Sequence, residues 1–153
     1  MGREELDMFT QHFDKFACDG DTITCTVGSF DCVATLHRDD DSTPPDERQD
    51  GFWPSLDPKD AGDIGDTKGQ LTAEKRKMSH VMNTWKNDEW WYVGVAVTVF
   101  KNGVQLTDDF SNAVWGVECN YPYGGNGYLR DVANEELGEA IGEAREVLAK
   151  LCA

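Results

Sequence analysis

Histidine and cysteine are the side chains best suited to acid–base and nucleophilic chemistry near neutral pH. The three histidines, His12, His37 and His80, lie far apart in the sequence and share no metal-ligand spacing. The cysteines form no Cys-x-x-Cys motif and lie at 18, 25, 32, 119 and 152. Cys119 and His37 could form a nucleophile–base pair only if their strands were neighbours. We therefore expect no catalytic residues, no metal and no cofactor, and we interpret the chain as non-enzymatic.

Carboxylates are far more abundant, and many of them lie in one long predicted loop, residues 38–69. The sequence from His37 to Gly69 is HRDDDSTPPDERQDGFWPSLDPKDAGDIGDTKG, with ten acidic and four basic residues. A connection of this length inside a compact domain is usually functional or disordered. Phe52 and Trp53 favour an ordered loop, because burying large apolar groups is stabilising. We predict a partner-binding surface formed by Asp39, Asp40, Asp41, Asp46, Glu47 and Asp50.

The charge of the whole chain indicates what such a surface would bind. Twenty-nine acidic and 14 basic residues give a net charge of −15. A field of this sign repels nucleic acid and anionic membranes and attracts basic proteins. We therefore expect a basic protein partner, with no direct binding of nucleic acid or membrane. An alternative is that Lys75, Arg76 and Lys77, which follow the acidic loop, neutralise it within the chain.

A second candidate site lies in the sequence YPYGGNGYLR, residues 121–130, where glycines join a predicted strand to a predicted helix. Its spacing matches neither the Gly-x-Gly-x-x-Gly fingerprint nor a phosphate-binding loop. Its tyrosines could nevertheless stack on a flat ligand. The alternative function is therefore a small-molecule binding or sequestering protein, with a pocket lined by Trp90, Tyr121, Tyr123 and Tyr128.

Hydrophobic periodicity predicts the helices that would position these residues. Apolar residues at three- and four-residue steps predict amphipathic helices over 4–17 and 128–152. A third predicted helix begins at Thr72 as its N-cap and carries an apolar stripe. The stripe consists of Met78, Val81, Met82 and Trp85.

Alternating apolar residues predict the strands. A hairpin over 22–37 would turn at Gly28-Ser29 with type II′ geometry and place Cys25 opposite Cys32. Whether these two thiols are free or bonded stays open. A strand over 90–100 precedes Asn102-Gly103, the preferred type I′ turn. The next strand, 113–120, would place Trp115, Val117 and Cys119 on one face.

These elements predict an α+β protein in the order α-ββ-long acidic loop-α-βββ-α. An antiparallel sheet of four or five strands with helices packed mainly on one face would bury the apolar residues. We expect one domain over 1–153. Because the sequence shows neither a secretory signal nor a membrane-spanning run, we expect a cytoplasmic protein. The oligomeric state is open.

Three strings, HRDDDSTPPDERQDGFWPS, WKNDEWWYVGVAVTV and WGVECNYP, resemble small uncharacterised acidic proteins of bacteriophages and prophages. The resemblance implies an accessory protein that binds and inhibits a basic host or defence protein. No site residues follow from it. Combined with the charge, it suggests anti-defence activity in which carboxylates mimic the charge of nucleic-acid phosphates.

Overall fold

A computed structural model describes residues 7–47 and 68–152 of the chain. The chain divides into two compact units, one formed by residues 1–40 and 91–153 and the other by residues 41–90. We call them the sheet unit and the helical unit. The predicted α+β class is confirmed, with a five-stranded antiparallel sheet and helices. In the described part of the chain, no helix has both the length and the apolar character needed to cross a membrane.

The described residues of the sheet unit form five strands joined by antiparallel pairing. Strand β2 lies between β1 and β3, and the other edge of β3 pairs with both β4 and β5. The strands are β1 (Thr22–Val27), β2 (Phe30–Arg38), β3 (Trp91–Lys101), β4 (Val104–Gln105) and β5 (Ala113–Cys119).

Both predicted hairpin turns are confirmed. Gly28 has a φ of +60° and is the only residue of its two-residue turn with positive φ, as in a type II′ turn. Asn102 and Gly103 have φ values of 51° and 82°, which is the type I′ pattern. The first turn places Cys25 opposite Cys32, and both thiols are free.

Strand β5 differs from the predicted alternation because it contains a bulge. The register between β3 and β5 shifts between Val93 and Val95, and Gly116 adopts a φ of +75°. An extra residue in one strand moves the following side chains to the opposite face. Trp115 therefore does not share a face with Val117 and Cys119, and that part of the prediction is wrong.

One face of the sheet, the core face, packs against the C-terminal helix α2 (Gly127–Leu151). The odd-numbered residues of β3 from 93 to 99 are fully buried valines, as the period-two pattern predicts. Residues spaced three and four apart on α2 complete the apolar layer. They are Leu129, Ala133, Leu137, Ala140, Ile141 and Ala144.

The helix predicted over 4–17 is wrong for its described part. Residues 7–17 form neither helix nor strand, and residues 4–6 lie outside the described residues. Phe9, Phe13 and Ala17 are nevertheless buried in the core. The backbone polar groups of this segment bind asparagine side chains rather than forming helical hydrogen bonds. The Asn134 side-chain amide accepts from the Phe9 N–H at 2.7 Å and donates to the Phe9 carbonyl at 3.1 Å. Aromatic, Thr and Asp residues also give the segment low helix propensity.

The helical unit contains a 3₁₀ helix (Pro45–Glu47) and helix α1 (Lys68–Lys86). Thr72 lies inside α1, so its predicted role as N-cap is wrong. Met78 and Val81 are buried, and Met82 and Trp85 are half-buried, so the predicted stripe is confirmed. The predicted acidic loop begins where β2 ends, and residues 48–67 lie outside the described residues.

Candidate functional site

The predicted acidic surface is divided between the two units. Asp39 and Asp40 belong to the sheet unit, whereas Asp41, Asp46 and Glu47 belong to the helical unit. Asp50 lies outside the described residues.

Two of these aspartates have defined contacts in the sheet unit. The Asp40 carboxylate accepts from the Arg38 Nε at 3.1 Å, while its side chain stays 79% exposed. The Asp39 backbone N–H donates to the Tyr92 carbonyl. One predicted partner-binding carboxylate is therefore already paired with a base.

In the helical unit, Asp46 lines an open groove of about 500 Å³ beside α1. Lys75 and Lys86 line the same groove, together with Met78 and Met82. Because cations and a carboxylate share this groove, the helical unit does not present a purely negative surface. The arrangement is compatible with the alternative in which lysines of α1 partly neutralise the acidic stretch.

Three of the four residues of the predicted tyrosine pocket are exposed or half-buried, namely Tyr121, Tyr123 and Tyr128. Trp90 is fully buried in the helical unit, where its indole N–H donates to the Val81 carbonyl at 2.9 Å. The Tyr128 hydroxyl donates to the Glu118 carbonyl, and burial raises the pKa of this phenol. Tyr121 and Tyr123 meet edge to face at 6.4 Å, and burial raises the pKa of Tyr121 to about 12.

The structure excludes the nucleophile–base pair of Cys119 and His37. Cys119 is buried on the core face, where desolvation raises the pKa of its thiol to about 12. His37 projects from the opposite face of the sheet, as its pairing with Gly94 shows. Among residues 7–47 and 68–152, no cluster of histidine, cysteine or carboxylate side chains is arranged to hold a metal ion.

The face of the sheet opposite the core face, which we call the groove face, carries a groove that we call the outer groove. Its volume is about 290 Å³. Side chains at alternate positions of β2 and β3 form its floor, as the two-residue period requires. They are Val33, Thr35 and His37 from β2 and Ala96, Thr98 and Phe100 from β3, with Gln105 and Asp109 at the edge.

Three rings cluster on this same face. The His37 ring meets Phe110 edge-on at 4.9 Å and lies 6.4 Å from Trp115. The Phe110 and Trp115 rings are 5.8 Å apart and tilted by 40°. Both are unusually accessible for large aromatic residues, Phe110 at 54% and Trp115 at 47% exposure. Exposed aromatic residues in a cluster are typical of binding surfaces.

A glycine and a bulge place Trp115 in this cluster. The Trp115 ring covers Gly94 so closely that a Cβ at Gly94 would lie 2.6 Å from its Cζ3 atom. The bulge at Gly116 turns Trp115 toward the groove face. The sequence contained a signal for this arrangement, since a glycine inside an otherwise apolar strand indicates a bulge or close approach of another group.

Hydrogen bonds hold the segment between β4 and β5 that carries Phe110. The Thr107 hydroxyl accepts a hydrogen bond from the Val99 N–H at 3.0 Å. This gives the amide a partner between the part of β3 that pairs with β5 and the part that pairs with β4. Gln105 Nε2 donates to the Thr107 carbonyl and to Asp109 Oδ1, both at 2.7 Å. The carboxylate of Asp109 is thereby fixed at the edge of the outer groove.

A line of carboxylates along α2 is a further acidic surface that the sequence analysis did not single out. Asp131, Glu135 and Glu139 are exposed and recur every four residues, so they lie on one side of the helix. Burial raises the pKa of the neighbouring Glu136, and the charges of Glu139 and Glu135 raise it further. Arg130 Nε lies 3.9 Å from Asp131 Oδ1, so one base partly offsets the negative charge of this line.

Comparisons of the chain with protein-family models, curated protein sequences and solved structures find no match. The resemblance to phage proteins therefore stays a prediction.

Proposed function

We propose that the protein is a non-enzymatic acidic interaction protein that binds and inhibits a basic protein. In the phage setting that the sequence suggests, the partner is a host or defence protein. Its basic groove would otherwise hold nucleic-acid phosphates, whose charge the carboxylates imitate. The predicted binding residues Asp39, Asp40, Asp41, Asp46, Glu47 and Asp50 belong to this proposal.

The observation that carries the proposal is the acidic line on α2. Like charges spaced four residues apart destabilise a helix by about 0.2–0.5 kcal/mol per pair. Asp131, Glu135 and Glu139 form two such pairs, which a bound cationic surface would turn into favourable contacts. The net charge of −15 adds a long-range attraction that raises the rate of encounter with basic partners.

The test is affinity purification of the tagged chain from cell extract at low and high salt. Salt at about 1 M shortens the Debye length from about 8 Å at 0.15 M to about 3 Å, so a charge-driven complex should dissociate. Retained proteins should be basic, and added DNA should displace them. A partner retained equally at both salt concentrations, or one without a basic surface, would contradict the proposal.

A charge-neutralised variant makes this test specific. Replacing Asp131→Asn, Glu135→Gln and Glu139→Gln removes three charges without changing side-chain size much. We expect the variant to keep its fold and to retain less of the basic partner. The matched control is Gly138→Ala, an exposed change on the same helix that leaves the charge unaltered.

A further inference from the structure

We propose that the outer groove of the sheet unit is a binding site for an arginine side chain of the basic partner. This inference rests on the proposed function and assigns the groove face a role that the acidic residues alone do not define. Three features carry it: the size of the groove, the exposed rings beside His37 of its floor, and a carboxylate at its edge.

The size of the outer groove limits its ligand. Pockets for small molecules range from about 300 to 1,000 Å³, so a groove of about 290 Å³ lies at the lower limit. It suits one extended side chain. Part of its floor is aliphatic, with Val33 and Ala96 beside the methyl-bearing threonines Thr35 and Thr98. The aliphatic part of a long cationic side chain packs favourably along such a surface.

The ring cluster favours a cation. The faces of Trp and Phe rings carry negative electrostatic potential, and a guanidinium binds such faces more often than an ammonium does. Phe110 and Trp115 are both about half exposed and adjacent, so a planar group can approach them from solvent. Elsewhere in the sheet unit, Arg38 already places its guanidinium 4.9 Å from the centre of the Trp91 ring.

Asp109 supplies the complementary charge. Gln105 holds its Oδ1 at 2.7 Å, and the residue is exposed to solvent at the edge of the outer groove. A guanidinium is planar and carries five donors, so it can stack on a ring while donating to a carboxylate. An ammonium cannot do both in this way. The chemistry therefore favours arginine over lysine, and the negative charge of the chain disfavours an anionic ligand.

The test measures the affinity of the full-length protein for two dye-labelled peptides by fluorescence anisotropy at low salt. One peptide contains three arginines separated by glycines, and the other contains lysines at the same positions. Because an exposed cation–π contact changes affinity about two- to fivefold, the arginine peptide should bind tighter by that factor. Equal affinities for the two peptides would overturn the inference.

Two variants locate the binding. Asp109→Asn removes the charge and keeps an acceptor for Gln105, and Trp115→Leu removes the ring but still covers Gly94. Each should weaken arginine-peptide binding more than Glu139→Gln, which makes the same charge change on α2. Trp115→Leu should also abolish the preference for arginine. Circular dichroism and thermal unfolding check that each variant folds. If Trp115→Leu does not fold, the binding result for Asp109→Asn alone decides the test.

The outcomes separate this inference from the proposed function. If both peptides bind with a salt-sensitive affinity that Asp109→Asn and Glu139→Gln reduce equally, the groove assignment is wrong and the proposed function stands. If neither peptide binds at low salt, both the groove assignment and the acidic binding function are wrong.

Discussion

The two faces of the same sheet carry different chemistry. On the core face, the valines of β3 pack with α2 and the N-terminal segment and are fully buried. On the groove face, the neighbouring positions carry threonines, His37, a glycine under an indole ring, and exposed aromatic residues. Burial explains the first set of residues, and on the groove face it also explains Ala96 and the glycine under Trp115, but it does not explain the exposed rings of Phe110 and Trp115. That difference points to binding on the groove face.

Two neighbouring residues of β2 should differ most in their effect on stability. Leu36 is fully buried on the core face, so Leu36→Ala should destabilise the protein by about 2–5 kcal/mol through lost burial and a cavity. Thr35 faces the groove and is half-buried, and Thr35→Ala should change stability by no more than about 0.5 kcal/mol. Urea denaturation measures both values. Equal losses at the two positions would remove the distinction between the faces.

The glycine under Trp115 gives a second contrast. Gly94→Ala would force its Cβ into the indole ring, and we expect a loss of about 1–3 kcal/mol together with a change in tryptophan fluorescence. Gly138→Ala on α2 is the control, because its Cβ would meet no atom within 4 Å. It should stabilise the protein by up to about 1 kcal/mol through helix propensity. Effects of the same sign would show that Trp115 does not rest on Gly94.

The N-terminal segment tests how the core face is closed. Asn134→Ala removes the two hydrogen bonds to the Phe9 backbone, leaving half-buried polar groups without that partner. The expected loss is about 1–2 kcal/mol. Hydrogen exchange at the Phe9 amide should accelerate, whereas exchange at Val95 in the centre of β3 should not. Unchanged protection of Phe9 would mean that the asparagine does not hold the segment.

The sequence predicted the regular parts of this fold well. The valine alternation in β3, both hairpin turns and the stripes of α1 and α2 follow from local patterns that tertiary packing reinforces. The N-terminal helix prediction failed because Phe9 and Phe13 have helical spacing, while Asn134, far away in the sequence, binds the backbone of Phe9. No local pattern contains that contact.

The candidate site was harder to predict than the fold. The predicted acidic residues were chosen by composition, which gives their charge but not their arrangement in two units. The ring cluster beside the outer groove depends on the bulge at Gly116, which brings Trp115 to the face that carries His37. Gly94 and Gly116 were both visible in the sequence, but the register that places them side by side comes only from the pairing of β3 with β5.

A further contrast concerns pH. Burial raises the pKa of Cys119 from 9.0 to about 12, so the native state keeps a proton that the unfolded state loses. This contribution to stability is fully present below pH 9 and is lost as the pH rises toward about 12. Urea denaturation at about pH 8, 10 and 11 should show the decline, and Cys119→Ala should reduce it. If the free energy of unfolding of the variant fell equally steeply with pH, the decline would not arise from Cys119.

We propose that the groove face binds cationic side chains, whereas the core face only packs. The most direct test of this proposal is mapping of NMR chemical shifts during titration with the arginine peptide. We predict shifts of the Trp115 indole N–H, the His37 ring and the Thr98 amide, with Leu36 and Val95 unchanged. Shifts confined to α2, or an unperturbed Trp115 at saturating peptide, would contradict it.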